Sequence, residues 1–389
     1  MTPFLLPVLL VAGPVRFERH DIDAFPAGYQ VAVADMNGDG KPDVVALSTE
    51  ADRVDWYESP GWKRHAIART ARNIDLALRD LDRDGIPEIA LASGFYFSEA
   101  SRGGEIQWLS RPAKPDDAWT IHPIAIDPVV HRLRWGDLDG DGRADLVHAP
   151  LFSAGSSGAR DPKPAHLWAF AVPPRPASDP WEVRKIDEAL TVLHGIHVSD
   201  LDADGRDEVL TASFEGIHRF DFEGSGSAGA WKKVRIAEGS KPVETAAGPS
   251  RGTSEVAPGK LGRDRPFIAA VEPWHGHEVV VYTPAKAGEP WARRVLDGGL
   301  SEGHALLVAN LDGKGADEIV AGWRGGGGGL ALYGAAVSGE AFERFEMDRG
   351  IAVEGAAAAD MDGDGDLDLV VIAGRSNRLS WYENKGAGP

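Results

Sequence analysis

The sequence predicts an all-β protein, a seven-bladed β-propeller, and three repeated features support this fold class. A nine-residue acidic loop recurs along the 389 residues, with 45 to 63 residues between the starts of successive copies. After each loop come a short apolar run, a segment that ends in an aromatic residue and a segment that begins with one. A repeat of this length that supplies several short strands indicates one closed array rather than two or three domains.

The acidic loop is clearest at residues 137–145, where the sequence is DLDGDGRAD. Asp137, Asp139 and Asp141 place a carboxylate at every second position, Gly142 permits a tight turn, and Asp145 adds a fourth carboxylate. Such a loop surrounds a hard cation with oxygen ligands, so we expect structural Ca2+. The expected ligands in the intact copies are Asp35, Asn37, Asp39, Asp43, Asp80, Asp82, Asp84, Glu88, Asp137, Asp139, Asp141, Asp145, Asp200, Asp202, Asp204, Glu208, Asp360, Asp362, Asp364 and Asp368.

Two further copies of the loop have decayed, which brings the number of repeats to seven. In the copy that starts at Asn310, Lys314 occupies the third ligand position, and the copy at Gly259 keeps only the spacing. An EF-hand is excluded because its loop requires a bidentate Glu at position 12 and a helix on each side. The intact copies carry Ala46, Leu91, His148, Thr211 and Val371 at that position. A strand-like run follows each loop, so we expect the loops to join the first two strands of each blade.

The final strand of the repeat indicates how the ring closes. Six copies are expected at residues 62–67, 119–124, 181–186, 231–236, 291–296 and 342–347. The seventh is Phe17–Ile22 at the start of the chain, while the last repeat stops after its third strand at Tyr382. The N-terminal strand therefore completes the last blade, an arrangement that leaves only short edges. We expect most of the aromatic residues to pack between blades.

Composition and the N-terminus bound the remaining possibilities. Residues 1–13 form an apolar run where a secretory signal would lie, so we expect a signal peptide, a propeller over residues 14–389, and a periplasmic or secreted protein. The alternative is a buried N-terminus in a cytoplasmic protein. No apolar run approaches the roughly 18 residues of a membrane span. A net charge of −19 argues against nucleic acid as a partner. The absence of cysteine decides little, and the oligomeric state stays open.

One position of the repeat predicts a second kind of metal site. Six residues before each loop, where the inner strand begins, the chain carries Tyr29, Ile74, His131, His194, Thr253, His304 and Glu354. Equivalent positions of a propeller converge on its axis, so His131, His194, His304 and Glu354 could meet around one ion. Three imidazoles and a carboxylate suit Zn2+, Mn2+ or Fe2+ better than Ca2+. The alternative is that each histidine only hydrogen-bonds a neighbouring blade.

The chain resembles the FG-GAP or VCBS repeat propellers over residues 17–382, on the acidic loops described above. Three segments, Val271–Gly276, Gly322–Gly325 and His131–Trp135, resemble the propeller domain of the aldos-2-ulose dehydratase family. This resemblance implies dehydration of a keto-sugar such as 1,5-anhydrofructose or an aldos-2-ulose. Members of that family carry cupin domains after the propeller, and we expect activity housed in cupins to be missing from this chain.

A mechanism follows from the predicted site. A keto-sugar with its carbonyl on the axial metal has an acidified α C–H bond. We expect His275 or His277, from the loop between the second and third strands of the fifth repeat, to act as base. Arg324 or Tyr29 would stabilise the developing negative charge or orient hydroxyl groups. The partner is then a small carbohydrate and the enzyme a carbon–oxygen lyase. A polysaccharide lyase on the same metal site, or a propeller that binds glycans or proteins without catalysis, are the alternatives.

Overall fold

The computed structural model describes residues 8–12, 15–114, 116–224, 226, 229–245, 248–262, 265–286, 289–335 and 342–386. Within this part of the chain, seven antiparallel sheets form the blades, and each contains four strands that belong to the repeat. The predicted fold class, an all-β seven-bladed propeller, is confirmed. No helix in the described ranges has the length and hydropathy that crossing a membrane requires.

Blades 1 to 6 each consist of four strands that are consecutive in the sheet and in the chain. Blade 1 consists of β3 (Gly28–Ala34), β4 (Asp43–Ser48), β5 (Arg53–Glu58) and β6 (Lys63–Ala68). Blade 2 consists of β7 (Asp75–Arg79), β8 (Glu88–Ser93), β9 (Glu105–Ser110) and β10 (Thr120–Ile126). Blade 3 consists of β11 (Val130–Gly136), β12 (Asp145–Pro150), β13 (Leu167–Ala171) and β14 (Glu182–Asp187). Blade 4 consists of β15 (Gly195–Ser199), β16 (Glu208–Ser213), β17 (Gly216–Glu223) and β18 (Ala230–Ala237). Blade 5 consists of β21 (Glu255–Lys260), β22 (Pro266–Glu272), β23 (Glu278–Thr283) and β24 (Ala292–Asp297). Blade 6 consists of β25 (Gly303–Ala309), β26 (Glu318–Trp323), β27 (Gly329–Ala335) and β28 (Phe342–Arg349). A hairpin of β19 (Ser240–Thr245) and β20 (Gly248–Gly252) lies between blades 4 and 5 in the chain.

Blade 7 contains strands from both ends of the chain. Its first three strands are β29 (Gly355–Ala359), β30 (Asp368–Ala373) and β31 (Arg378–Asn384), and the fourth is β2 (Val15–Asp23). Strand β2 pairs with β31 in an antiparallel register that runs from Phe17 opposite Asn384 to Asp23 opposite Leu379. A further strand, β1 (Val8–Ala12), pairs with the outer side of β2. The signal peptide stays a prediction, and residues 1–7 and 13 of that segment lie outside the described residues.

The inner strands surround a common axis. Each of β3, β7, β11, β15, β21 and β25 contacts the next inner strand, and β29 contacts β3. The inner strands therefore start on one face of the disc and end on the other. The acidic loops follow the ends of these strands, and the histidines of the predicted axial site lie at their starts, His131 and His304 as second residues and His194 just before β15.

Most aromatic residues of the third strands are buried, as the repeat predicts, whereas Trp168 and Trp381 are partly exposed. Tyr57, Tyr282, Tyr333 and Tyr382 are almost fully buried. Each hydroxyl group donates a hydrogen bond to a carboxylate, which prevents an unsatisfied buried polar atom. The partners are Asp23 at 2.6 Å, Glu272 at 2.7 Å, Asp297 at 2.7 Å and Asp348 at 2.9 Å, in the same order.

The acidic loops are held by hydrogen bonds from backbone N–H groups to their own carboxylates. In the first loop, the Asp35 carboxylate accepts from the N–H groups of Gly38 and Gly40, both at 2.7 Å. The carboxylate of Asp43, at the ninth position, is buried and accepts from the N–H of Met36 at 2.9 Å. The same bond joins Glu88 to Leu81, Asp145 to Leu138, Glu208 to Leu201, Glu318 to Leu311 and Asp368 to Met361. Glu318 belongs to a decayed loop, so this bond does not depend on a complete set of cation ligands.

Candidate functional site

The starts of three inner strands bring His131, His194 and His304 together on the axis. The ring centroids of His131 and His194 are 4.6 Å apart, and those of His194 and His304 are 5.3 Å apart. The Nδ1 atom of each ring lies within hydrogen-bond distance of a backbone carbonyl of the following blade. These contacts are His131 to His194 O at 3.0 Å, His194 to Ser254 O at 3.0 Å and His304 to Glu354 O at 2.7 Å.

The carbonyl contacts determine the tautomer of these histidines. A carbonyl oxygen only accepts hydrogen bonds, so Nδ1 carries the proton and Nε2 presents a lone pair. Histidine ligands of metal ions show the same arrangement, in which the second ring nitrogen donates to a carbonyl or a carboxylate. The sequence analysis treated convergence on the axis and hydrogen bonding to the neighbouring blade as alternatives. Each of the three histidines does both, because Nδ1 bonds to the neighbouring blade and the ring lies beside the other axial rings.

His275 reaches the axis from the connection between β22 and β23. Its Nε2 lies 2.9 Å from the Nε2 of His194, and its ring stacks on Trp274. The backbone of His275 has a φ of +47°, which is uncommon for a residue with a side chain. The next residue, Gly276, packs so closely on Glu272 that a Cβ atom would lie 2.2 Å from its backbone. The His-Gly pair of the sequence thus forms a tight turn that directs an imidazole to the axis.

His194, His275 and His304 offer nitrogen atoms that all lie within 4.8 Å of one another. Two nitrogens that bind one tetrahedral zinc ion, each at 2.0–2.1 Å, are about 3.3 Å apart. The Nε2 atoms of His194 and His275 are now at a hydrogen-bond distance of 2.9 Å, so a small side-chain movement would let both bind one ion. The residues present therefore fit a transition metal, in a set that contains His275 where the sequence predicted His131 and Glu354.

Glu354 lies beside the histidines, but its carboxylate is engaged by arginine. Arg324 Nη1 is 2.8 Å from Glu354 Oε2, and Arg324 Nη2 is 3.3 Å from His275 Nδ1. The His304 Nδ1 is 3.6 Å from the same carboxylate oxygen. Burial raises the pKa of Glu354, and the guanidinium group of Arg324 opposes this shift. Glu354 is thus the ion-pair partner of Arg324, a contact that spacing along the chain does not reveal.

Tyr29 connects two of the axial histidines. Its hydroxyl oxygen is 3.3 Å from His131 Nε2 and 3.0 Å from His304 Nε2. A phenol has one proton, so it donates to only one of these two lone pairs at a time. Burial raises the pKa of the Tyr29 hydroxyl, although Arg132 and Arg324 act in the opposite direction.

Arg132 and Glu255 form a buried ion pair next to the cluster, and the sequence pattern did not predict their part in the site. Arg132 Nη2 is 3.0 Å from Glu255 Oε1, and that oxygen is 2.9 Å from His194 Nδ1. Burial alone would raise the pKa of Glu255, but the charge of Arg132 and the contact with His194 together hold the pKa below the usual value. The signal available in the sequence was a charged residue at or near the start of the inner strands of blades 2, 3 and 5, namely Asp75, Arg132 and Glu255.

Thr253 does not take the position that the spacing predicted for blade 5. Its hydroxyl group bonds to Glu272 Oε1 at 3.1 Å. Ser254 instead donates its N–H to Val271, as His194 does to Ala212 and Glu354 to Ile372. The register of blade 5 is therefore shifted by one residue, and its acidic loop has decayed.

The axial imidazoles are neutral near physiological pH. Burial lowers the pKa of His131, His275 and His304 well below the usual value, and the nearby arginines act in the same direction. The pKa of His194 is also lowered by burial, while Glu255 partly opposes the shift. Neutral imidazoles with free lone pairs are suited to metal binding or to proton abstraction.

A cavity of about 580 Å³ opens over this cluster. Tyr29, His131, His194, His275, Arg324 and Glu354 all contribute to its lining. Phe95, Phe97 and Trp274 form an apolar wall, and Arg72 and Arg375 add charge. His277 is exposed and is not among the lining residues, so it is poorly placed for the predicted role of base. A larger cavity, of about 680 Å³, lies beside the acidic loops of blades 2 and 3 and has no histidine in its lining.

Comparison with known proteins relates the chain to one β-propeller domain family and to FG-GAP repeats. The family model of the aldos-2-ulose dehydratase β-propeller domain matches residues 103–285. An FG-GAP-like repeat matches residues 35–91, and an FG-GAP repeat matches residues 352–389.

Two individual proteins are similar to this chain, one in sequence and one in fold. Aldos-2-ulose dehydratase from Phanerodontia chrysosporium is 25% identical over 351 residues, which cover 82% of this chain. The chain spans 37% of the length of that relative. Virginiamycin B lyase from Staphylococcus aureus has a similar fold, with a TM-score of 0.55 and 11% identity over 94% of this chain and 99% of that one. The protein is thus a seven-bladed β-propeller with FG-GAP-like repeats that resembles the propeller domain of aldos-2-ulose dehydratase.

Proposed function

We propose that the protein is a carbohydrate-acting lyase that dehydrates a keto-sugar of the 1,5-anhydrofructose or aldos-2-ulose type. The observation that carries this proposal is a group of neutral imidazoles that converge beside Tyr29 and Arg324 at one cavity. The similarity to aldos-2-ulose dehydratase supports a carbohydrate substrate, although the chain spans only part of that enzyme's length.

His194, His275 and His304 would hold a transition metal, with Zn2+ or Mn2+ as candidates. When bound, such an ion polarises the substrate carbonyl and thereby acidifies the adjacent C–H bond. This assignment exchanges two roles inferred from the sequence. His275 becomes a ligand because of its contact with His194, and His131 becomes the base because it lies outside the group of three.

His131 and Tyr29 would then transfer the protons. The Nε2 of His131 takes the α-proton, and the hydroxyl group of Tyr29, 3.3 Å away, gives its proton to the leaving β-hydroxyl group, which departs as water. The proton on His131 Nε2 then passes to the tyrosinate oxygen, which restores both residues. Arg324 is placed to stabilise negative charge on the substrate oxygen.

The test is incubation of the protein with 1,5-anhydrofructose and with glucosone after zinc or manganese has been added. We expect ultraviolet absorbance of a conjugated enone, and we expect little from a Tyr29→Phe variant. The zinc content of His275→Asn and His131→Asn separates ligand from base, because only the first variant should lose the ion. Absence of enone with every metal and both sugars would refute the proposal.

A polysaccharide lyase is the second candidate. Arg72, Arg324 and Arg375 line the cavity, and a guanidinium group is well suited to bind the carboxylate of a uronate. Cleavage of a polyuronate with formation of an unsaturated product would favour this alternative. Binding of a glycan without any product would favour a propeller that does not catalyse.

The acidic loops are proposed to bind Ca2+ and to stabilise the blades. In blade 4, Asp200, Asp202, Asp204 and Glu208 offer oxygen atoms within 4.8 Å of one another. A calcium ion bound only by the folded state would raise the melting temperature. Titration of calcium into chelated protein, followed by thermal unfolding, tests this role.

A further inference from the structure

A second group of ligating side chains lies in the outer half of blade 7, where β2 pairs with β31. Glu18, His20 and Glu383 offer ligand atoms that all lie within 4.8 Å of one another. The Nε2 of His20 is 2.8 Å from Oε2 of Glu383, and both side chains are partly buried. We call these three residues the seam cluster, because Glu18 and His20 come from the first blade strand of the chain and Glu383 from the last.

Blades 1 and 2 contain the same arrangement at the same place. A tryptophan of the third strand stacks on a histidine directly opposite it in the fourth strand, at 4.1 Å in blades 1 and 2 and 4.6 Å in blade 7. The histidine Nε2 then contacts the residue two positions after the tryptophan. The three sets are Trp56, His65 and Glu58 at 3.0 Å; Trp108, His122 and Ser110 at 2.9 Å; and Trp381, His20 and Glu383 at 2.8 Å.

The three blades differ in the residue that faces this contact across the strand pair. Lys63 lies opposite Glu58 in blade 1, and Thr120 lies opposite Ser110 in blade 2. Glu18 lies opposite Glu383 in blade 7. Blade 1 thus pairs opposite charges, blade 2 pairs neutral groups and blade 7 pairs like charges. Like charges directly opposite each other in a sheet destabilise it unless a cation compensates them.

The seam cluster has a further carboxylate and a lysine among its neighbours. Lys385 forms an ion pair with Glu383 and has Glu18 and Asp362 among its electrostatic partners. The side chain of Asp362 lies close enough to Glu383 to raise the pKa of Asp362, after the larger effect of burial, and adds a third carboxylate. One ammonium group therefore lies among three carboxylates, and the Nε2 of His20 contacts one of these.

We propose that the seam cluster binds a divalent transition-metal ion such as Zn2+ through His20, Glu18 and Glu383. One imidazole and two carboxylates form a donor set that suits zinc. The ligand atoms of the three side chains already lie within 4.8 Å of one another, so small side-chain movements would bring them to the separation of about 3.3 Å between two ligands of tetrahedral zinc. Binding displaces the Nε2 proton of His20 to solvent.

The ion would connect β2 to β31 and so stabilise the closure of the ring. An ion that binds only where both strands are in place favours the folded state. This inference does not rest on the proposed enzymatic function, because none of the three residues of the seam cluster lines the cavity over the axial histidines.

The experiment measures bound zinc per chain and the melting temperature, with and without zinc, in calcium-saturated protein. The variants are Glu18→Gln and Glu18→Lys, of which the second copies the charge pattern of blade 1. We expect each variant to bind one zinc ion fewer than the wild type, with affinity at this site weakened about tenfold or more. We also expect both to lose part of the increase in melting temperature that zinc produces. Glu18→Lys should unfold at a higher temperature than wild type when zinc is absent.

The matched control is Glu58→Gln, which removes the equivalent carboxylate of blade 1 and should leave the zinc stoichiometry unchanged. The ion proposed for the axial histidines should be lost in His194→Asn and retained in the Glu18 variants. The number of zinc ions per chain in the two kinds of variant therefore distinguishes the two sites. Equal zinc stoichiometry and affinity in wild type, Glu18→Gln and Glu18→Lys would overturn the proposal. An equal loss of zinc in Glu58→Gln would also overturn it.

Discussion

The acidic loops and the axial histidines lie at opposite ends of the same inner strands, yet they are organised differently. Each loop contains its carboxylates within nine residues, and its hydrogen bonds join neighbouring positions of the chain. The axial cluster combines residues that are up to 275 positions apart, such as Tyr29 and His304. The loops repeat one chemistry in five of the seven blades, whereas the axis combines histidine, tyrosine and glutamate from different blades. We therefore expect loop variants to change stability and axial variants to change activity.

The largest effect is expected for His194→Asn, which removes a nitrogen from the centre of the axial group. Loss of a metal ion that polarises the carbonyl removes several kcal/mol of transition-state stabilisation, so the rate should fall by about 10³-fold. Enone formation and zinc content measure the change. His122→Gln, on an outer strand, is the control and should retain both. Unchanged zinc content and activity in His194→Asn would show that the axial histidines do not form a catalytic metal site.

Tyr29→Phe should give the next largest effect. Proton transfer by a positioned side chain contributes about 10²-fold or more, so we expect a loss of that size in kcat with zinc content unchanged. The pH dependence of kcat should also change, which a packing role alone would not produce. If zinc is lost together with activity, Tyr29 supports the ion rather than the proton transfer.

A pair of loop variants compares an intact loop with a decayed one. Asp137→Ala removes the first ligand of the loop in blade 3, and Asp312→Ala removes a carboxylate of the loop that contains Lys314. In saturating calcium we expect Asp137→Ala to lose the stabilisation that ion binding provides, about 2.7 kcal/mol when calcium is at 100 times its dissociation constant. Asp312→Ala should lose less. After chelation the two melting temperatures should become similar, and a difference that persists would mean that calcium is not its cause.

The smallest effect concerns the buried carboxylates at the ninth position. Burial raises the pKa of Glu318 to about 7 from 4.5. Since the folded protein then holds this proton more tightly than the unfolded chain, the contribution of Glu318 to stability falls as pH rises from about 4.5 to 7. Gln cannot ionise and still accepts the N–H of Leu311, so Glu318→Gln should raise the melting temperature at pH 8 relative to wild type.

At pH 4, where Glu318 is protonated in both states, the advantage of Glu318→Gln should be absent. Burial also raises the pKa of Asp145, to about 7, but Asp145 is an expected calcium ligand. Asp145→Asn should therefore lower the melting temperature when calcium is present. A Glu318→Gln effect that is the same at both pH values would show that the ionisation of Glu318 is not its cause.

The sequence predicted the fold because every blade repeats its loop, its third-strand aromatic and its final strand. It also predicted that His131, His194 and His304 converge, because equivalent positions meet on a propeller axis. It did not predict the contact between His275 and His194, since this depends on the conformation of one turn. Ser254 and the pair of Arg132 and Glu255 were missed because blade 5 is shifted in register and ion pairs follow side-chain direction, not spacing.

The most direct test of the axial site is anomalous X-ray scattering at the zinc edge from crystals of zinc-loaded protein. We predict a peak between the imidazoles of His194, His275 and His304, about 2.0–2.1 Å from their ring nitrogens. The same crystals of His194→Asn should lack that peak. If zinc-loaded wild-type crystals show no anomalous density among these three residues, the histidines are packing groups and the proposed metal-assisted elimination is wrong.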